Sequence, residues 1–223
     1  MANCLSSVFL ATCCMTFIFS TEAVTLSGSV DTSGSGLSDV VVTAKPLNED
    51  RKKTHEKINP VSMVLDQKSR EFIPHVLAIK VGTPVFFPNS DDIRHHVYSF
   101  SPAKRFEIKL YSGTPKKPVV FDQPGVVVVG CNIHDWMLGY IVVTDSPYVT
   151  KTDDQGNWSL ELPDGRYQLS LWHPDSIANF GSTIDDQLVP TSKHLHHTIT
   201  LKANPQTGKP PSTLQLQGYK DGF

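Results

Sequence analysis

The sequence predicts an all-β protein, a β-sandwich architecture built in two parts. Three observations predict it. Apolar residues recur in short runs with period two, and no long run shows the 3.6-residue period of a helix. The 223 residues include 16 Pro and 14 Gly, and these gather with Asn, Asp and Ser into clusters that separate the runs. Short strands at that spacing read as a sandwich or a barrel. Apolar residues make up 39% of the chain and charged ones 19%, enough to bury a core. Lys plus Arg is 20 against 22 for Asp plus Glu, so the chain lacks the basic excess that nucleic acid or an acidic membrane surface requires.

The first element is a leader. Residues 5–19, LSSVFLATCCMTFIF, form an apolar run, and Thr21-Glu22-Ala23 is a small-x-small cleavage site, so residues 1–23 are expected to be a signal peptide cut after Ala23. No Lys or Arg precedes the run. It is shorter than the roughly 20 apolar residues that span a bilayer. Thr12 before Cys13 argues against a lipid-modified cysteine. Removal of the leader takes Cys4, Cys13 and Cys14 with it and leaves Cys131 alone. The expected compartment is the periplasm, with no stable membrane insertion after cleavage. A single thiol there forms no internal disulfide and needs another reason: burial, pairing or metal ligation.

Leu26, Gly28 and Val30, a Gly/Ser turn, and then Val40, Val42 and Ala44 give two alternating strands. Residues 48–57, NEDRKKTHEK, carry no apolar pattern and read as a solvated loop. A dense β region follows, with runs at Val61–Leu65, His75–Val81, Thr83–Phe87, His95–Phe100, Arg105–Tyr111, Val119–Phe121, Val126–Val129 and Gly139–Val143. After Ser146-Pro147 comes a hairpin: Trp158, Leu160 and Leu162 alternate, Pro163-Asp164-Gly165 turns, and Tyr167, Leu169 and Leu171 alternate back. Trp172-His173-Pro174 ends that strand, and another is expected near His197–Leu201. Residues 203–223 are rich in Pro, Gly and Gln and are expected to be a loose tail.

Chemistry concentrates in Gly130-Cys131-Asn132-Ile133-His134-Asp135-Trp136-Met137. Between two strands this loop sets a thiol, an imidazole and a thioether at spacing Cys-x2-His-x2-Met. Each alone has a plainer reading: a buried small hydrophobe, a surface loop residue, a core residue. Together, a second imidazole would complete a trigonal Cys-plus-two-His set with a weak axial Met, the set of a blue-copper electron-transfer site. The candidates for that imidazole are His95 and His96, at the entrance to a strand. Strand alternation lets only one of them face the site. His194, His196 and His197 suggest a second metal patch, but no nearby Cys or carboxylate pattern supports them. Trp136 offers a docking aromatic or a packing residue, and Lys116-Lys117 reads as a solvated turn.

Residues 60–145 resemble a cupredoxin of the plastocyanin and amicyanin kind. The resemblance rests on Asn89-x5-His95 and on Gln123-Pro124-Gly125 through Cys131, His134 and Met137. It implies one type 1 copper per chain, held by His95, Cys131, His134 and Met137. The family carries Asn directly after the first His, where this chain has His96; the Asn89 spacing selects His95. The whole chain is also similar to exported proteins labelled methylamine-utilization-like. Segments 24–46 and 150–171 resemble a carboxypeptidase-regulatory-like or transthyretin-like sandwich. Here roughly a hundred residues split its elements.

The expected organisation is therefore a cupredoxin Greek-key sandwich, 58–146, inserted in or packed beside a second small sandwich made of 24–57 and 147–202. The resemblance implies a single-electron carrier between redox partner proteins, not an enzyme, because protein ligands fill the site. A copper delivery or storage protein, a β-sandwich binding module without redox activity and a copper oxidase subunit stay open as alternatives. The partner and the oligomeric state are not legible.

Overall fold

The computed structural model describes residues 23–48, 61–178, 180, 183–189, 194–203 and 209. The expected leader before Ala23, residues 49–57 of the charged stretch, and nearly all of the expected tail lie outside the described residues.

The described chain is all-β. In order the strands are β1 (Ala23–Thr32), β2 (Ser35–Gly36), β3 (Val41–Pro46), β4 (Met63–Val64), β5 (Asp66–Lys68), β6 (Glu71–Ile73), β7 (Val76–Lys80), β8 (Thr83–Phe86) and β9 (His95–Ser99). Then follow β10 (Phe106–Tyr111), β11 (Val119–Phe121), β12 (Gly125–Cys131), β13 (Leu138–Thr144), β14 (Tyr148–Lys151), β15 (Asn157–Pro163), β16 (Gly165–Trp172), β17 (Thr183–Val189) and β18 (Leu195–Thr198).

Strands from the two ends of the chain pair with each other. β1 runs antiparallel to β15, with Leu26 opposite Leu160, and parallel to β18, with Gly28 opposite Leu195. β3 lies between β14 and β16 in a second sheet that β17 extends. Alternation aims Leu26, Val30, Val42, Ala44, Trp158, Leu160, Leu162, Tyr167, Leu169 and Leu171 into one core between these sheets. Gly28 faces the same core. A Cβ there would lie 2.6 Å from the Trp158 ring and 2.5 Å from the Leu195 carbonyl oxygen, so glycine makes room for the indole.

The middle of the chain forms the other sandwich. One sheet has the order β10-β9-β12-β13-β7, the facing sheet β11-β8-β4, and β5 and β6 form a hairpin. The non-sequential order is that of a Greek-key arrangement. Leu65, Phe72, Ile79, Val85, Phe87, Val97, Phe121, Val127, Val129, Ile141 and Val143 fill its core, together with Cys131 and Met137. β13 is buried on both faces. Ile141 and Val143 point into this core, while Tyr140 and Val142 meet Val41, Val76 and Trp172 in a separate apolar seam between the two sandwiches.

Most strands fall where alternation puts them. The run at 61–65 shortens to β4, and the last strand begins at Leu195, two residues earlier than the expected His197. The expected hairpin at 157–172 does not form: β15 pairs with β1 and β16 with β3, so the turn at 163–165 carries the chain from one sheet to the facing one and both apolar faces meet in the core between them. β2, the β5–β6 hairpin, β14 and β17 go beyond the expectation.

Candidate metal centre

His95 opens β9 and Cys131 closes β12, and these neighbouring strands are in register, with Cys131 opposite Val97. The sheet thus brings the two residues together across 36 positions of sequence. Strand alternation turns His95 inward, where it is fully buried. His96 points to the other side, with its Nε2 3.0 Å from Glu107 Oε1. His134 follows in the loop between β12 and β13. That loop is closed on itself: the Met137 amide donates to the His134 carbonyl at 3.0 Å, and the Cys131 amide to the Met137 carbonyl at 3.2 Å.

Cys131 Sγ lies 3.6 Å from His95 Nδ1 and 3.8 Å from His134 Nδ1. Sulfur at ~2.3 Å and nitrogen at ~2.0 Å from a shared metal stand about 3.5–3.8 Å apart at tetrahedral to trigonal angles. The two imidazole rings are 5.1 Å apart. Among the described residues these three form the one cluster of His, Cys, Asp or Glu whose donor atoms all lie within 4.8 Å of one another. Met137 is fully buried in the same loop and packs in the same core as Cys131. The donor set therefore fits a transition-metal ion that favours thiolate and imidazole.

The turns that carry the candidate donors are held by residues that strand patterns do not reveal. Asp91 Oδ2 sits 2.7 Å from His95 Nε2. With the proton on Nε2, the His95 Nδ1 lone pair faces Cys131, the tautomer that metal binding needs. Asp91 in turn accepts the amides of Ser69 at 2.6 Å and Arg70 at 2.9 Å. Those two residues form the tight turn between β5 and β6 and have φ of 57° and 62°. Positive φ at both central positions is the type I′ hairpin geometry, and it aims both amides at the carboxylate. Burial raises the Asp91 carboxyl, but the bonds from Arg70, His95 and Ser69 outweigh it and hold the group below the usual range. Asn89 donates to the Ile93 and Tyr111 carbonyls at 2.8 and 2.9 Å, which ties the turn before β9 to β10. Gln67, fully buried, donates to the Pro88 carbonyl at 3.0 Å and to the Tyr111 hydroxyl. Burial pushes the Tyr111 phenol up to about 12.

His134 is less enclosed. Its pKa is lowered, first by burial and then by His95 and Arg70, with Asp91 opposing, so the ring is held toward its neutral, ligating form. The Trp136 ring lies 5.1 Å from it. Of the residues named from sequence, the structure gathers His95, Cys131 and His134, buries Met137 in their loop, and leaves His96 outside. Asp91, Gln67 and Tyr111 are the additions. The signal for Asp91 was only an acidic residue four positions before His95.

No protein-family model matches the chain, and no curated protein matches it. Solved structures do match in part. A Cu-containing nitrite reductase from Thermus scotoductus SA-01 covers 45% of this chain at 25% identity and a TM-score of 0.36, and this chain spans 25% of that one. A purple cupredoxin from Nitrosopumilus maritimus covers 38% of this chain, over 100% of its own length, at 23% identity and a TM-score of 0.33. A reduced Cu(I) form of an amicyanin variant covers 46%, over 98% of its own length, at 18% identity and a TM-score of 0.34. Each of these matches covers less than half of this chain.

Proposed function

We propose that the chain is an exported type 1 copper protein that carries single electrons between redox partner proteins, with one copper held by His95, Cys131, His134 and Met137. The observation that carries this reading is the approach of two imidazole Nδ1 atoms to one buried thiol, at 3.6 and 3.8 Å, with a buried methionine in the same loop. Copper, when bound, supplies a one-electron couple. Cys131 provides the thiolate, and its near-complete burial keeps water from the sulfur. His95 is oriented through Asp91, so it need not turn when the charge at the site changes. Met137 offers a weak thioether that tunes potential more than it holds metal. His134, the more accessible of the two proposed ligand imidazoles, gives a partner its edge of approach. Four protein donors leave no open position for a substrate, which supports a carrier and not an enzyme.

We also propose that residues 58–146 are a metal-binding sandwich inserted into a second one formed by 24–57 and 147–202. The pairing of β1 with β15 and of β3 with β16 supports that division. The reading includes a periplasmic location, checked by an intact mass that begins at Val24 in exported protein. No helix among the described residues is long and apolar enough to cross a membrane.

The deciding experiment is the visible spectrum of the copper-loaded protein, with Cys131→Ser, His95→Ala and His96→Ala alongside. The expected result is an intense thiolate-to-copper band that Cys131→Ser and His95→Ala abolish and His96→Ala retains. A colourless copper-loaded protein with a freely titrating thiol would overturn the proposal. A colour lost with His96 and kept without His95 would overturn the ligand assignment.

A further inference from the structure

The His194–His197 run has no acidic residue beside it in sequence, but the fold supplies one. β18 lies parallel to β1, with His196 opposite Ser29 and Thr198 opposite Asp31. Alternation puts His194 and His196 on one face of the edge strand, and Ser27, Ser29 and Asp31 on the adjoining face of β1. The contacts repeat along the ladder. Ser27 Oγ lies 3.4 Å from His194 Nδ1, and Ser29 Oγ lies 3.1 Å from His196 Nδ1. His196 Nε2 then sits 3.1 Å from Asp31 Oδ2.

We propose that His194, His196 and Asp31 form a surface binding site for a divalent transition-metal ion, separate from the Cys131 cluster. With Nδ1–H donating to Ser29, the Nε2 lone pair of His196 is directed at the same point as the Asp31 carboxylate. Donors at ~2.0–2.2 Å from one ion lie about 3 Å apart, which matches the 3.1 Å between Nε2 and Oδ2. Asp31 Oδ1 is buried with no hydrogen-bond partner among the described residues, so the carboxylate's charge is answered only at Oδ2, where the cation would sit. The third donor comes from His194, two residues away on the same face. Its 3.4 Å contact to Ser27 is long for a hydrogen bond and is cheaply given up when the ring swings toward the ion. His196 is 57% exposed, so an ion reaches the site without disturbing the core. Imidazole and carboxylate together suit zinc, nickel or cupric copper.

The test uses Ni²⁺ and the full, untagged chain carrying Cys131→Ser, which removes the other cluster's thiolate and makes the outcome independent of the copper reading. Isothermal titration is expected to give one Ni²⁺ per chain. His194→Ala and His196→Ala, each in the Cys131→Ser chain, should weaken it about tenfold or more, and Asp31→Asn by a smaller factor. His197→Ala, on the opposite face, should leave it in place. Thermal melts of the same variants confirm that they are folded. Absence of Ni²⁺ binding, or binding indifferent to both His194 and His196, overturns the proposal.

Discussion

Replacing Asp91 with Asn tests whether His95 is a ligand through Nδ1. The carboxylate now meets three donors: His95 Nε2 at 2.7 Å and the amides of Ser69 and Arg70 at 2.6 and 2.9 Å. An asparagine keeps the shape but has one acceptor oxygen. Its NH₂ group must face at least one N–H, so one bond is lost and the remainder are no longer charge-assisted. A hydrogen bond to a charged group contributes about 1.5–3 kcal/mol. If most of that is expressed in the ligand's orientation, copper affinity falls about 10–100-fold, the usual cost of breaking such outer contacts. Losing a negative charge beside the ligand should also favour the reduced state and raise the reduction potential. The assay is competition with a chromophoric Cu(I) chelator, paired with a redox titration and with melts of the metal-free protein. Those melts separate a weakened site from a weakened fold. An unchanged affinity together with an unmoved potential would refute the reasoning, because it would mean that the Asp91–His95 contact does not prepare Nδ1 for metal.

Two further outcomes follow from the seam between the sandwiches. His75 and His173 both have lowered pKa values, each chiefly through burial, with Asp39 and Asp175 opposing. The unfolded chain therefore takes up protons first as pH falls below the ordinary histidine value of 6.5, and folding stability, complete above that pH, is lost as pH falls toward the folded-state values. Melts of metal-free protein between pH 7 and 5 should show this slope, and the double variant His75→Gln/His173→Gln should flatten it; an equal slope in both would refute the assignment. Trp172→Ala should cost about 3–5 kcal/mol, the range for a buried aromatic, and its effect should fall on the contact between the sandwiches. Calorimetry is expected to show one transition resolving into two, and a single transition merely shifted down would argue against a separable seam.

The parts of the molecule legible in the sequence are those whose signal is local. Trp158, Leu160 and Leu162, then Tyr167, Leu169 and Leu171, alternate within their own strands and face one core, although β15 and β16 pair with β1 and β3 in two different sheets and not with each other. Cys131, His134 and Met137 share one seven-residue loop, so spacing alone brings them near each other. His95 was reachable because a strand can present one of two adjacent imidazoles inward, not both. What stayed hidden depends on contacts between distant segments. Asp91 gains its role from a hairpin turn at Ser69 and Arg70, whose residue types do not advertise the positive φ they adopt. β14 is half-buried at all four positions, so it shows no alternation to read, and Asp185 and Asp186 interrupt any apolar period in β17. Asp31 becomes a neighbour of His196 only because β18 returns parallel to β1.

The same long-range pairing bears on the metal centre. β13 begins directly after Met137, and β12 ends at Cys131, with Gly130 opposite Leu138, so the loop carrying three of the four proposed donors is clamped at its base by one ladder. A two-stranded clamp with one wet face would breathe. Here β13 has no wet face: Ile141 and Val143 are held in the inner core, while Tyr140 and Val142 are held by Val41 and Trp172 from the other sandwich. Lys151 adds a polar tie, donating to the Val76 carbonyl at 2.7 Å while paired with Asp39. β7, which carries Val76, is the parallel neighbour of β13. The second sandwich thus braces the strand that leaves the loop from the side opposite the donors. Under the proposed function the site changes charge without changing shape, which needs its supporting strands fixed on both faces, because any slack in β13 would be passed directly to Met137. Strands from the two ends of the chain, β3 through Val41 and β16 through Trp172, supply that second face.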